Sequence, residues 1–251
     1  MAKAAAKKEA APLNFNGPYL IYDTETNGLP IYDRPSGMLG QPRIVELAAM
    51  IIDKDDIVLD SMDVLIRPDA ERWTIEPDLQ AIHGITTERC LAEGHDIIKV
   101  RDRLLEMARR CTFRIAHNAA FDSRMVRIEI RKSGLGQDAE GWWKEFPTFD
   151  TQHKATRYCQ LPPTDKMAAA GRRSFKTPKL VEAFAHFFPG DPLLNSAHAA
   201  AHDIEMTRRV FWAIQRTPEP EVEQKDSAPP PEPVAPTKGQ SRILFAGADD
   251  E

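Results

Sequence analysis

The stretch Arg43–Asp53, RIVELAAMIID, constrains this chain more than any other. From Ile44 to Ile52 only Glu46 interrupts the apolar run. A strand with one wet face alternates apolar and polar side chains, whereas a strand covered on both faces does not. The segment therefore reads as a strand buried on both sides, and a fold that contains it needs a sheet with other elements packed on it. Tyr19–Asp23, YLIYD, reads as a strand before it. Ile57–Ile66, IVLDSMDVLI, follows after the turn KDD with partial alternation and reads as a third. The short connections predict an antiparallel arrangement of these three.

The period changes further on. Ile97, Ile98, Val100, Leu104, Leu105 and Met107 recur at helical spacing in HDIIKVRDRLLEMARRC. FRIAHN reads as a short strand, FDSRMVRIEIRKSG as a helix closed by Gly134, and PTFDT as another short strand. TPKLVEAFAHFF offers Thr177 as an N-cap with Pro178 in the first helical position. SAHAAAHDIEMTRRVFWAIQR reads as a last helix starting near Ser196. Strands first, then alternation of helix and strand, predict an α/β fold. Its mixed sheet has three antiparallel strands followed by parallel ones, flanked by helices.

The chain divides by composition into a flexible arm (1–16), one domain (17–216), a Pro/Glu-rich linker expected to be disordered (217–239) and a short tail (240–251) that regains three apolar residues in a row. The formal net charge is −5, and from Thr217 onward there are eight acidic and three basic residues, so the preceding 216 residues balance. General duplex-DNA binders are more basic. A neutral body fits a short nucleic-acid contact such as one strand end. No stretch nears the ~20 apolar residues of a membrane span, and the first residues lack the apolar core of a secretory signal. The three widely spaced cysteines, Cys90, Cys111 and Cys159, argue against a disulfide framework or a cysteine zinc site. A cytoplasmic protein without membrane association is expected.

LIYDTETNGLP, from Leu20, ends its apolar run on Asp23 and Glu25. Residues two apart on a strand face the same side, and like charges so close repel unless something positive lies between them. Asp122, in HNAAFD, opens a helix directly after a strand, and Asp203, in HAAAHD, lies in the last helix. Each alone reads equally well as a solvated or helix-capping carboxylate. Converging, four of them hold two divalent cations ~3.5–4 Å apart, and all-oxygen ligands suit Mg²⁺ or Mn²⁺.

Together DTETNGL, HNAAFD and HAAAHD resemble the three motifs of the DEDD exonuclease superfamily in its histidine-containing (DEDDh) branch, and IHGIT (Ile82–Thr86) between the first two is typical of that branch. The resemblance runs from about Pro18 to Gln215. It extends to the proofreading epsilon subunit of bacterial DNA polymerase III and to stand-alone and phage-encoded relatives. It implies a ribonuclease H-like fold for 17–216 and a 3′→5′ exonuclease of the proofreading or repair type, acting on single-stranded DNA 3′-ends. By the same resemblance Asp23, Glu25, Asp122 and Asp203 are metal ligands, and His198, five residues before Asp203, is the general base. Residues five apart on an ideal helix lie ~140° apart, so His198 is expected on the loop before that helix or in an irregular first turn.

The resemblance further implies that Thr24 and Thr26 contact the 3′-end, that Leu29, His83 and Ile85 meet base faces, and that Asn118 lies near the substrate backbone. Turn and core packing is the plainer reading of Leu29 and Ile85, and satisfying loose strand-end groups that of Asn118. Glu46 and Asp150 read as supporting groups, and RRSFKTPK (Arg172–Lys179) as a mobile loop over the cleft. His202 pairs with His198 at i, i+4 as in some zinc sites, but the Glu of H-E-x-x-H and a third ligand are missing, so it reads as an ordinary helix residue. QSRILF in the tail resembles the peptide by which bacterial replication proteins bind the sliding clamp, with Gln240 as polar anchor and Ile243, Leu244 and Phe245 as apolar plug. A DNA polymerase is a further partner implied in this way. Two segments are longer than the family pattern, IYDRPSGMLGQP after the first motif and GQDAEGWWKEF after the second. They leave open an exoribonuclease of the same branch. A non-catalytic scaffold subunit is the other alternative, and the presence of all five motif residues speaks against it.

Overall fold

The computed structural model describes residues 13–68, 73–195 and 200–220. The chain separates into two units, Met1–Pro220 and Glu221–Glu251. The second, with Gln240–Phe245, lies outside the described residues.

Five strands, β1 (Tyr19–Thr26), β2 (Ile44–Ile52), β3 (Val58–Leu65), β4 (Phe113–Ala116) and β5 (Thr148–Asp150), form one sheet in the order β3-β2-β1-β4-β5. The first three pair antiparallel, while β4 runs parallel to β1 and β5 parallel to β4. The described helices are α1 (Pro77–His83), α2 (Thr87–Glu93), α3 (Ile97–Arg109), α4 (Ala119–Lys132), α5 (Gln137–Glu145), α6 (Thr151–Cys159), α7 (Asp165–Ala169), α8 (Leu180–Phe187) and α9 (Ala200–Arg216). β2 is buried at every position but Met50, as its unbroken apolar run requires. On β1 the alternation sends Leu20 and Tyr22 into a core with α3 and α4, and Tyr19 and Ile21 into a second core with α8 and α9. Every odd-numbered position of β1 thus faces α9, and every even one faces α4.

Some boundaries differ from the sequence reading for identifiable reasons. α8 starts at Leu180, not at Pro178, because Glu182 reaches back to the Lys179 N–H at 2.7 Å and caps the helix there. The Pro178 carbonyl is meanwhile taken by the His117 ring and the Gln152 amide. Leu13 and Phe15, within the stretch read as an arm, pack on the second core, with the Phe15 ring 5.3 Å from that of Phe113. The Trp142-Trp143 extension is helix α5, and Trp143 is fully buried beneath the Arg114 guanidinium, 4.4 Å from its ring.

A buried ion pair clamps α4 to the start of β2. Arg43 donates to Glu129 through Nε and Nη2 at 3.0 and 2.9 Å, the Ile44 N–H donates to the same carboxylate at 3.0 Å, and both side chains are buried. Breaking such a pair leaves an uncompensated charge in the interior, at a cost of about 3–5 kcal/mol. Glu129→Ala is therefore expected to lower the melting temperature by about 10 °C, at roughly 2–4 °C per kcal/mol for a domain of this size. The double variant Arg43→Met with Glu129→Leu should regain most of that loss in the same thermal melt.

Candidate active site

Asp23 and Glu25 occupy odd positions near the C-terminal end of β1, on the α9 side of the sheet. Asp203 lies in the first turn of α9. One carboxylate oxygen from each of Asp23, Glu25 and Asp203 lies within 4.8 Å of the others. The register of β1 and β2 sets Glu46 opposite Glu25. Glu46 is not part of that cluster; its Oε2 accepts the Ala200 N–H at 3.0 Å. The first N–H groups of a helix have no partner within it, and a carboxylate there satisfies one and complements the helix dipole. Glu46 thereby anchors the helix end that carries Asp203.

Asp122 arrives from the other face. It is buried in the first turn of α4, and its Oδ1 accepts both the N–H and the hydroxyl of Thr24, at 3.0 and 2.7 Å. Held against Thr24, it lies next to Asp23, on which its charge acts more strongly than any other, but it is not one of the three carboxylates within 4.8 Å of one another. The entry into α4 is held from below by Asp150, which accepts the N–H groups of Asn118 and Ala119 at 3.2 and 3.1 Å and those of Gln152 and His153 at 2.9 and 3.2 Å. One carboxylate thus caps both α4 and α6. Asn118 adopts φ 63° and ψ 47°, the left-handed region that Asn tolerates better than most residues, and it is exposed. This geometry lets the chain turn from β4 into α4 within two residues and delivers Asp122 to the strand end.

The electrostatics of the cluster are unfavourable by themselves. Burial, then repulsion from Asp122, Asp203 and Glu25, pushes the Asp23 carboxyl well above its ordinary range. Burial and the charges of Asp203, Glu46 and Asp122 raise Glu25 to about 8. Burial raises Asp122 to about 7, against the two hydrogen bonds from Thr24. Such a donor set is entirely carboxylate oxygen, which hard divalent cations prefer, and its dominant strain is like-charge repulsion, which a cation relieves. The residues therefore fit a divalent metal.

His198 lies outside the described residues. Both ring nitrogens of His117 are engaged at 3.0 Å, Nδ1 with the Thr151 hydroxyl and Nε2 with the Pro178 carbonyl. His83, the last residue of α1, is buried, and its Nδ1 accepts the Ile85 N–H at 3.1 Å. Its pKa is lowered, chiefly by burial. His202 is exposed, and its charge bears on Asp63 of β3. Ile85 is 2% exposed and packs in the core, where it offers no face to a base. The Thr24 hydroxyl is spent on Asp122 and that of Thr26 on the Gly28 carbonyl, at 2.9 Å. Leu29, by contrast, is 81% exposed. The segment Arg172–Lys179 is tied down at its C-terminal half, where Lys176 donates its N–H to the Leu161 carbonyl and pairs with Glu182. The supporting contacts of Glu46 and Asp150 had a sequence signal in their acidic character; the clamps Gln41 and Arg124, described below, had none.

The family model RNase_T, an exonuclease domain, matches residues 20–211. No curated protein sequence matches the chain. Among solved structures, E. coli exonuclease I in complex with a dA16 oligonucleotide superposes with a TM-score of 0.57 at 20% identity, over 79% of this chain and 40% of that one. The zinc-bound form of the E. coli exonuclease I–single-stranded DNA complex gives 0.59 at 18%, over 80% and 40%, and the metal-free form gives 0.54 at 18%, over 79% and 39%. The chain thus matches about two fifths of the length of these exonuclease I structures, and at such identity the likeness is one of fold, the ribonuclease H-like mixed sheet. With the family match spanning most of its length and Asp23, Glu25 and Asp203 gathered near the end of β1, the chain belongs to the RNase_T exonuclease family of the DEDD superfamily.

Proposed function

We propose that this protein is a divalent-cation-dependent 3′→5′ exonuclease that removes nucleotides from single-stranded DNA ends. The observation that carries the reading is the convergence of Asp23, Glu25 and Asp203 within 4.8 Å, with Asp122 held beside them. Exonuclease I, which shares the fold, is seen with single-stranded DNA in these complexes. In this reading the four carboxylates hold two cations, Mg²⁺ or Mn²⁺. Bound there, such ions supply Lewis acidity toward the attacking water and the leaving 3′-oxygen. His198 takes the proton of that water, since an imidazole of ordinary pKa is largely neutral at pH 7–8. The other histidines of the motif region support this assignment, because His117 and His83 already spend ring nitrogens on the scaffold. As the water oxygen bonds to phosphorus, the bond to the 3′-oxygen breaks, which releases a nucleoside 5′-monophosphate and leaves a new 3′-hydroxyl. The main chain of Thr24 and Thr26, the open side chain of Leu29 and the exposed Asn118 position the strand end. A proofreading or repair role in the cytoplasm fits this chemistry.

A 5′-labelled single strand incubated with Mg²⁺ should shorten stepwise from its 3′-end, with the matched RNA degraded more slowly. Faster loss of the RNA would assign the protein to exoribonucleases of the same branch. An intact ladder for both strands would remove the enzymatic reading.

The tail segment Gln240–Phe245 extends the proposal to a replication clamp. Gln240 serves as a polar anchor and Ile243, Leu244 and Phe245 as an apolar plug. A linker of ~23 residues spans ~25 Å when flexible and up to ~70 Å when polyproline-like, enough to keep a tethered nuclease at raised local concentration. A titration of the tail peptide against a bacterial clamp should give a roughly micromolar Kd, abolished by Gln240→Ala with Phe245→Ala. No binding at ~1 mM peptide would end this part of the proposal and leave the nuclease assignment standing.

A further inference from the structure

The two segments that lengthen the family pattern form one structural unit beside the carboxylates. The β1–β2 connection is folded around the buried side chain of Gln41, whose Nε2 donates to the carbonyls of Ile31 and Pro35 at 2.9 and 3.2 Å, while its Oε1 accepts the Ile31 N–H at 3.0 Å. Arg124, two residues beyond Asp122 on α4, donates to the Ser36 hydroxyl at 2.8 Å and to the carbonyls of Ile31 and Arg34. Ser36 in turn donates to Glu140 of α5 at 2.5 Å, and Glu140 also pairs with Arg127 at 2.9 Å. The loop is therefore pinned from three sides by buried or half-buried polar groups, which removes most of the conformational entropy a surface loop of this length ordinarily keeps.

What this scaffold holds out is aromatic. Tyr32 follows directly on the doubly clamped Ile31, and its side chain is 62% exposed. The carbonyls on either side of it, of Ile31 and Arg34, are held by Arg124, two residues along α4 from Asp122, so the loop that carries Tyr32 is fastened to the helix that delivers Asp122. In keeping with this, the charge of Asp122 is, after burial, the main influence that raises the Tyr32 hydroxyl pKa. A large apolar ring kept in water on a rigid backbone, next to a site for phosphodiesters, matches the stacking platforms of single-strand binding proteins. Those tolerate any sequence because every base has a π-face.

We propose that Tyr32 is a substrate-binding residue that stacks on a nucleobase near the 3′-end of the bound strand, and that the joined loop and α5 exist to hold it there. This rests on the exonuclease reading above. Pre-ordering the backbone that carries the ring means that binding does not have to immobilise the loop, so less of the stacking energy is lost to ordering. Because a base near the end is held equally before and during hydrolysis, the contribution falls on KM and leaves kcat largely alone.

The test uses the full-length protein, Mg²⁺ and single-stranded oligonucleotides carrying one abasic position at each of the last few nucleotides in turn. Tyr32→Ala should raise KM about 10- to 100-fold, the range that base–aromatic stacking supplies, with kcat within about twofold and the thermal melt unchanged. Tyr32→Phe should keep the KM of the parent, since stacking needs the ring and not the hydroxyl. In the parent enzyme one particular abasic position should raise KM by a similar factor, and in Tyr32→Ala that same position should cost nothing more, the signature of two groups that act through one contact. A KM for Tyr32→Ala within twofold of the parent, a loss in Tyr32→Phe as large as in Tyr32→Ala, or additive effects of Tyr32→Ala and every abasic position would each overturn the inference while the exonuclease reading stood. A parent protein that leaves all these strands intact would instead overturn the exonuclease reading, and the inference with it.

Discussion

Asp23→Asn and Asp203→Ala are each expected to lose Mg²⁺-dependent hydrolysis by at least ~10³-fold while folding normally. The several kcal/mol of charge stabilisation that a cation supplies to phosphodiester cleavage correspond to about that factor, at 1.36 kcal/mol per tenfold. Folding is spared because the cluster works against the fold when no cation is present. Asp23, Glu25 and Asp122 all have pKa values raised in the folded protein, to about 8 for Glu25 and about 7 for Asp122. Between the ordinary carboxylate range near 4 and those values, the folded state holds more protons than the unfolded chain. Stability of the metal-free protein therefore falls as pH rises through roughly 4 to 8. Asp23→Asn removes one of the repelling charges. In EDTA at pH 8 it should melt higher than the parent by about 3–6 °C, at roughly 2–4 °C per kcal/mol, and the gap should close toward pH 4. Mg²⁺ should raise the melting temperature of the parent at pH 8 more than that of the variant. Near-normal Mg²⁺-dependent activity in a folded Asp23→Asn protein would overturn the assignment of this cluster as the metal site.

His198→Ala should lower the single-turnover rate ~10²–10⁴-fold, the usual contribution of a general base, and leave the Mg²⁺-induced rise in melting temperature in place, because the carboxylates remain. His202→Ala should cost far less, since His202 is exposed on α9. The reverse order of the two rates would transfer the base to His202. Activity of His198→Ala that rises with pH beyond neutrality would further mark the missing group as the proton acceptor, as hydroxide in solution takes over its work.

The arrangement of the sheet was legible in the sequence because it depends on local patterns. The unbroken run of Ile44–Ile52 reads as a strand buried on both faces, and the short turn after it makes the next strand, β3, an antiparallel neighbour. The carboxylates were legible for a related reason. A period of two puts Asp23 and Glu25 on one face whatever the rest of the chain does. Helix ends were less legible. Pro178 looked like a helix start, and only the competition of His117 and Gln152 for its carbonyl, with Glu182 capping Lys179, moved that start to Leu180.

The residue types at the site, their motif order and the identity of the inner strand follow from the chain alone, because strand periodicity and charge are properties of neighbouring residues. Which partners those residues meet was decided by packing across the fold. Asp122 bonds to Thr24, 98 positions away, Glu46 holds the Ala200 N–H across 154, and Ser36 and Arg124 join a loop to a helix across 88. No periodicity extends over such separations. These contacts form only once the sheet has brought β1, α4 and α9 together, and they hold the carboxylates near one strand end.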